Sequence, residues 1–115
     1  MKQFDHEVIF CVVNAGFSET AMDAAKEKGA RGGTVFRARG TANLEAEKLL
    51  NISIQPEKEI VMIVVNSAIR DDILHSLYRA IGLNTPGQGI VFSMPVDKAI
   101  GFSSEAAVSE KKDEE

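Results

Sequence analysis

An α+β domain with the element order β-α-β-β-α-β is predicted by three features of the 115-residue chain. Three short apolar runs are rich in β-branched residues and have the length of strands. Two stretches, one after the first and one after the second of these, carry helix signals. A fourth run, weaker than the others, alternates apolar with cationic residues. A chain of this size makes one domain, with room for a modest aliphatic core.

The first run, HEVIFCVV (residues 6 to 13), is predicted as a strand. The only cysteine, Cys11, lies within it, has no partner for an internal disulfide, and is expected as a buried core thiol. SETAMDAAKEKG (18 to 29) reads as a helix, with Ser18 expected as its N-cap and Gly29 closing its end. Glu19 and Asp23 stand early, and Lys26 and Lys28 late, which suits the helix dipole. TVFRAR (34 to 39) follows as a half-exposed strand, so Arg37 and Arg39 share one face and lead toward Gly40 and Thr41.

The connection GTANLEAEKLLNISIQPEK (40 to 58) is long for this position, so it is expected to be functional or mobile, with a helical turn near Leu44 to Leu50. EIVMIVV (59 to 65) is the third strand. In IRDDILHSLYRAIG, Ile69, Ile73, Leu77 and Ile81 recur at four-residue spacing on one helical stripe, Asp71 and Asp72 favour the helix start, and Gly82 ends it. GIVFSMPV (89 to 96) is the fourth strand. This order is the split βαβ, or ferredoxin-like, sandwich, assigned to residues 1–103. Residues 104–115 are polar and charged and are expected to be a disordered tail.

Two helices cover one face of a four-stranded sheet, yet VIFCVV and IVMIVV are apolar at odd and even positions alike. Strands of that kind are buried on both sides. The second face is therefore expected to meet another copy of the chain in a closed homo-oligomer, with clefts between subunits.

The net charge of −4, with acidic residues crowded at the C-terminus, disfavours DNA and RNA as partners. No apolar run reaches the ~20 residues of a membrane span and the first residues lack a signal segment, so a cytoplasmic protein that is not membrane-inserted is expected. His6 and His75 lie on different elements without metal-ligand spacing, and no nucleophile set occurs, so neither a metal site nor an enzyme is expected.

Candidate ligand-binding residues fall in two stretches. TPGQGIVF places Thr85, Gly87, Gln88 and Gly89 before an apolar run, either as a tight positive-φ turn into the last strand or as backbone that closes on a bound anion. Gly32, Gly33 and Thr34 offer backbone donors and a hydroxyl, equally sensible as a turn. Arg37 and Arg39, at the root of the loop that Gly40 and Thr41 begin, carry guanidinium groups suited to phosphate or carboxylate. As solvated arginines of an edge strand they need no ligand.

These segments together resemble the PII family of nitrogen-regulatory signal-transduction proteins. Gly29-Ala30-Arg31-Gly32-Gly33-Thr34-Val35 resembles that family's entry to the second strand, and residues 40–58 stand where its T-loop stands. Gly87-Gln88-Gly89-Ile90-Val91-Phe92 resembles its B-loop, and Val96-Asp97-Lys98-Ala99-Ile100 the approach to its C-loop. The resemblance implies a homotrimer that binds an adenine nucleotide, ATP, ADP or AMP, between subunits. It also implies control of a membrane transporter or metabolic enzyme through the mobile loop.

The sequence departs from the family at instructive places. Ile90 replaces the phosphate-contacting lysine, and Gly101 and Ser103 replace two C-loop arginines. The loop is short, lacks the glutamine near its start that helps hold magnesium and 2-oxoglutarate, and has no tyrosine for uridylylation, since the only tyrosine is Tyr78. A divergent PII-like regulator is the reading these features imply. The rival is a structural or metal-handling trimer of the CutA type, which shares the fold and needs no nucleotide.

Overall fold

The computed structural model describes residues 4–41, 48–49 and 57–101. Most of the 40–58 connection and the whole 104–115 tail therefore lie outside the described residues; within the connection, Lys48 and Leu49 have helical backbone. The elements are β1 (His6–Asn14), α1 (Ser18–Glu27), β2 (Thr34–Arg39), β3 (Glu57–Asn66), a 3-10 turn (Ser67–Ile69), α2 (Arg70–Ile81) and β4 (Ile90–Val96). The four strands form one antiparallel sheet in the order β2-β3-β1-β4. The fold is the ferredoxin-like α+β sandwich, as the order of sequence signals predicts.

The pleat sorts the side chains of β1 and β3 between two unlike faces. Ile9, Cys11 and Val13 on β1 and Val61, Ile63 and Val65 on β3 are buried in the core beneath the helices. Ile73, Leu77 and Ile81 fill the same core from α2, at the four-residue spacing read from the sequence, with Ile69 packed at its margin. Helix α1 contributes the small residues Ala21, Ala24 and Ala25, and the buried Ser76 hydroxyl of α2 donates to the Ala24 carbonyl at 3.1 Å. That bond satisfies the one hydroxyl placed between the two helices.

No helix of the described residues lies on the opposite face. By register it carries Val8, Phe10 and Val12 from β1, Ile60, Met62 and Val64 from β3, Ile90, Phe92 and Met94 from β4, and Phe36 from β2. The Phe10 and Phe92 rings stack at 5.4 Å. Phe36, Val64, Ile90, Phe92 and Met94 are all exposed, with Ile90 57% open to solvent.

The ends of α1 are built differently from each other. At its C-terminus Gly29 takes φ +110, its N–H reaches the Lys26 carbonyl and the Ala30 N–H reaches the Ala25 carbonyl, both at 3.1 Å. This is a Schellman cap, and its left-handed position accounts for Gly29. At the N-terminus Phe17 holds the cap position without a side-chain bond, and Ser18 lies inside the first turn. The expected Ser18 cap is thus replaced by the Glu59 carboxylate of β3, which accepts the Gly16 N–H at 2.9 Å and the Ser18 N–H at 3.3 Å. A long-range carboxylate serves the helix end because it satisfies two orphan donors at once and carries negative charge to the dipole.

At the start of α2 the Arg70 guanidinium joins the buried Glu7 of β1 and reaches Asp71 Oδ1 at 2.9 Å, so the one buried carboxylate of the sheet is paired. The Leu77→Ala variant is expected to lose about 2–5 kcal/mol, the cost of a large-to-small change at a fully buried site. Denaturant unfolding monitored by far-UV circular dichroism measures that loss.

Candidate functional site

The glycine loop is anchored on both sides. Thr85 uses its N–H and its hydroxyl on the Gly82 carbonyl, at 3.0 and 2.8 Å, and the Gln88 N–H closes a turn on the Thr85 carbonyl at 3.0 Å. The Gly89 N–H bonds the Ile81 carbonyl at the end of α2, and the Gly87 carbonyl accepts the Asn14 N–H of β1 at 2.9 Å. The residue in the left-handed region is Gln88, with φ 45; Gly87 and Gly89 are not. The expectation of positive-φ glycines is therefore corrected. Glycine is needed here for close approach: a Cβ on Gly87 would lie 3.2 Å from Ile81 Cβ, and one on Gly89 would overlap Ile81 and come within 3.0 Å of Val13 Cγ1. The N–H groups of Gln88 and Gly89 are occupied within this turn, so an anion there meets the exposed Gln88 side chain and the loop rim rather than those two donors.

The other candidates lie at the far edge of the sheet. A Cβ on Gly33 would sit 2.8 Å from the Met62 carbonyl and 3.1 Å from Met22 Sδ, so Gly33 lets β2 approach β3 and α1, whereas Gly32 meets nothing. Thr34 is exposed on the helix-free side opposite Met62, and Gly40 and Thr41 leave β2 with irregular backbone. Arg37 and Arg39 do share a face, and each is directly opposite a carboxylate: Arg37 faces Glu59 and Arg39 faces Glu57. The Glu59 carboxyl is held below its ordinary value by the Gly16 and Ser18 N–H groups and by the charge of Arg37. Arg37 therefore already has an internal anion beside it.

One row of the sheet measures the separation. Arg37 faces Glu59, Glu59 faces Val13, and Val13 packs beside Gly89. Three strand spacings, roughly 14 Å, lie between the β2 group and the glycine loop. A single chain does not gather the eleven candidate residues into one pocket.

Two residues absent from the sequence reading join the site. Asn14, the last residue of β1, donates its Nδ2 to the Pro86 carbonyl at 3.0 Å and accepts the Lys58 ammonium on Oδ1 at 2.7 Å. Lys58 is its cross-strand partner at the start of β3. A neutral asparagine at a strand end carries no motif, and only the strand register reveals that it touches both the glycine loop and the start of β3.

Cys11 is a fully buried free thiol whose pKa is pushed up to about 12 by burial, which makes it a core residue and a poor nucleophile. Among the described residues no group of three or more His, Cys, Asp or Glu side chains is placed to hold a metal ion. Among the described residues no helix is long and apolar enough to cross a membrane.

No family model matches the chain, and no curated protein matches it in sequence. Among solved structures the fold is similar to that of Arabidopsis thaliana PII bound to citrate, with a TM-score of 0.64 and 19% identity over 87% of this chain and 82% of that one. At that identity the likeness establishes the fold, and function rests on the site.

The Glu59 cap generates a pH-dependent prediction. Its folded pKa is lowered, so its contribution is present above the unfolded value of about 4.5 and is lost as pH falls through the lower folded value. Glu59→Gln is expected to remove this part of the acid dependence, and Glu59→Ala to cost at most about 1 kcal/mol at neutral pH, the order of a helix cap in a screened position. Urea unfolding between pH 3 and 7 for the wild type and both variants, with about 1–3 kcal/mol/M slopes, checks both.

Proposed function

We propose that the protein is a PII-like, non-enzymatic regulator that assembles as a homotrimer and binds a small anionic effector, an adenine nucleotide, in clefts between subunits. The observation that carries this reading is the uncovered apolar sheet face lying between two separated groups of candidate residues. Closing that face on sister subunits removes Ile90, Phe92 and Met94 from water and gives the β2 group of one chain and the glycine loop of another a route to a shared cleft. The similar structure holds citrate, a small polyanion, which supports an anionic effector here. In this reading residues 40–58 change their order with effector occupancy and dock on, or leave, a transporter or metabolic enzyme in the cytoplasm.

A second reading has its own support. Gly33, Gly87 and Gly89 are each explained by close packing with no ligand, as in a purely structural trimer. The two readings share the assembly and differ in the effector.

Light scattering at micromolar concentration is expected to give three times the 12.5 kDa chain mass. Phe92→Glu, which places a charge in the apolar face, is expected to give monomers or soluble aggregates; a monomeric wild type would remove the basis of both readings.

Calorimetry with ATP, ADP and AMP tests the effector. Binding is expected to weaken when Gln88 is replaced by Gly, because that change removes the side chain at the loop apex and spares the packing around Ile81. Gly87→Val and Gly89→Val are expected to lower stability as well as binding, since both collide with Ile81. No heat from any nucleotide at millimolar concentration favours the structural reading.

A further inference from the structure

We infer that Asn14 is a positioning residue that couples the glycine loop to the start of β3, so that a change at one is transmitted to the other. The inference rests on the reading that the glycine loop holds the effector. Both ends of the Asn14 amide are engaged: Nδ2 donates to the Pro86 carbonyl of the loop at 3.0 Å, and Oδ1 accepts from Lys58 at 2.7 Å. The flanking main chain follows the same path, with the Asn14 N–H on the Gly87 carbonyl at 2.9 Å and the Ala15 N–H on the Glu57 carbonyl at 3.1 Å.

Asparagine suits this role because its two polar atoms differ. The loop presents a carbonyl, which requires a donor, and β3 presents an ammonium, which requires an acceptor. Aspartate keeps the second bond and loses the first; alanine loses both. Pro86 has no N–H and a fixed φ, so its carbonyl is a stiff handle on the turn that carries Gln88. Lys58 is the first residue of β3 after Glu57, where the 40–58 connection re-enters the sheet. Moving Pro86 therefore draws on Asn14 and, through it, on the strand end at which that connection re-enters the sheet.

Amide chemical shifts of the full-length protein test the coupling with and without ligand. In the ligand-free arm, Thr85→Ala removes the hydroxyl that braces the loop on Gly82 and does not touch β3. The Lys58 and Glu59 amides are expected to shift in the Asn14 protein. That response is expected to be reduced in the Asn14→Ala background and in Asn14→Asp, which keep only the main-chain path to the loop, although Asn14→Asp retains the Lys58 contact. Lys58→Met, which leaves Asn14 bound to Pro86, is expected to reduce the response from the other side and serves if Asn14→Ala does not fold. An undiminished response in Asn14→Asp and Lys58→Met, or no response to Thr85→Ala with Asn14 present, overturns the inference. In the second arm ATP is titrated into the wild type. Failure of ATP to shift the Gly87–Gly89 amides counts against the nucleotide reading alone, since the ligand-free arm decides the coupling separately.

Discussion

The two-sided apolar character of β1 and β3 is the constraint from which the rest of the structure follows. Because these strands are the middle pair of the sheet, both of their faces need cover. One face takes the two helices, whose stripes of Ala21, Ala24, Ala25 and of Ile73, Leu77, Ile81 match the buried set beneath them. The other face receives no cover from the described residues and is paved by Phe10, Met62, Phe92 and their neighbours. The loops that enter and leave the sheet are placed by the same pair: Asn14 and Lys58 are the terminal residues at which β1 and β3 still face each other. Where the glycine loop and the start of β3 meet is thus a consequence of how the middle strands end.

Much of this was legible in sequence because it depends on periodicity. Strand β2 begins and ends at Thr34 and Arg39 as read, and the stripe of α2 is buried as its spacing predicts, since alternation and four-residue recurrence are local properties of the chain. What escaped was long-range. Ser18 has the chemistry of an N-cap, but Glu59, 41 residues away, sits better placed to take the Gly16 and Ser18 donors. Arg37 and Arg39 were correctly placed on one face, yet their neighbours across the register, Glu59 and Glu57, were out of view.

The glycine loop is the clearest case of a motif with two physical origins. From sequence, glycine signals either backbone freedom or the absence of a side chain, and the two cannot be told apart without neighbours. In the fold Gly87 and Gly89 serve the second purpose, since Ile81 occupies the space a Cβ would need, while the left-handed turn falls to Gln88. A non-glycine residue in that region costs conformational energy, which the bonds of Thr85 and Gly89 to the end of α2 and of Gln88 to the Thr85 carbonyl offset. The loop is consequently rigid at its base and presents one amide side chain at its apex.

In the proposed trimer, Ile90 connects the assembly to the chemistry of the cleft. It follows Gly89 directly, faces Val12 on the helix-free side and enlarges the apolar face; by the resemblance, it stands where PII proteins carry a phosphate-contacting lysine. Under the proposed function, a lysine at that place would bring an ammonium to the ligand and leave a charge beside a surface that the proposed trimer must dehydrate, which costs more than burying an isoleucine. The exchange favours association over phosphate charge. Under the proposed function the effector's charge must then be met by cations already engaged, Lys58 with Asn14 and Arg37 beside Glu59, and each must give up an internal partner to do so. That exchange lowers the net gain per phosphate, so the cleft is suited to an effector with fewer phosphates than a site with a free lysine would favour.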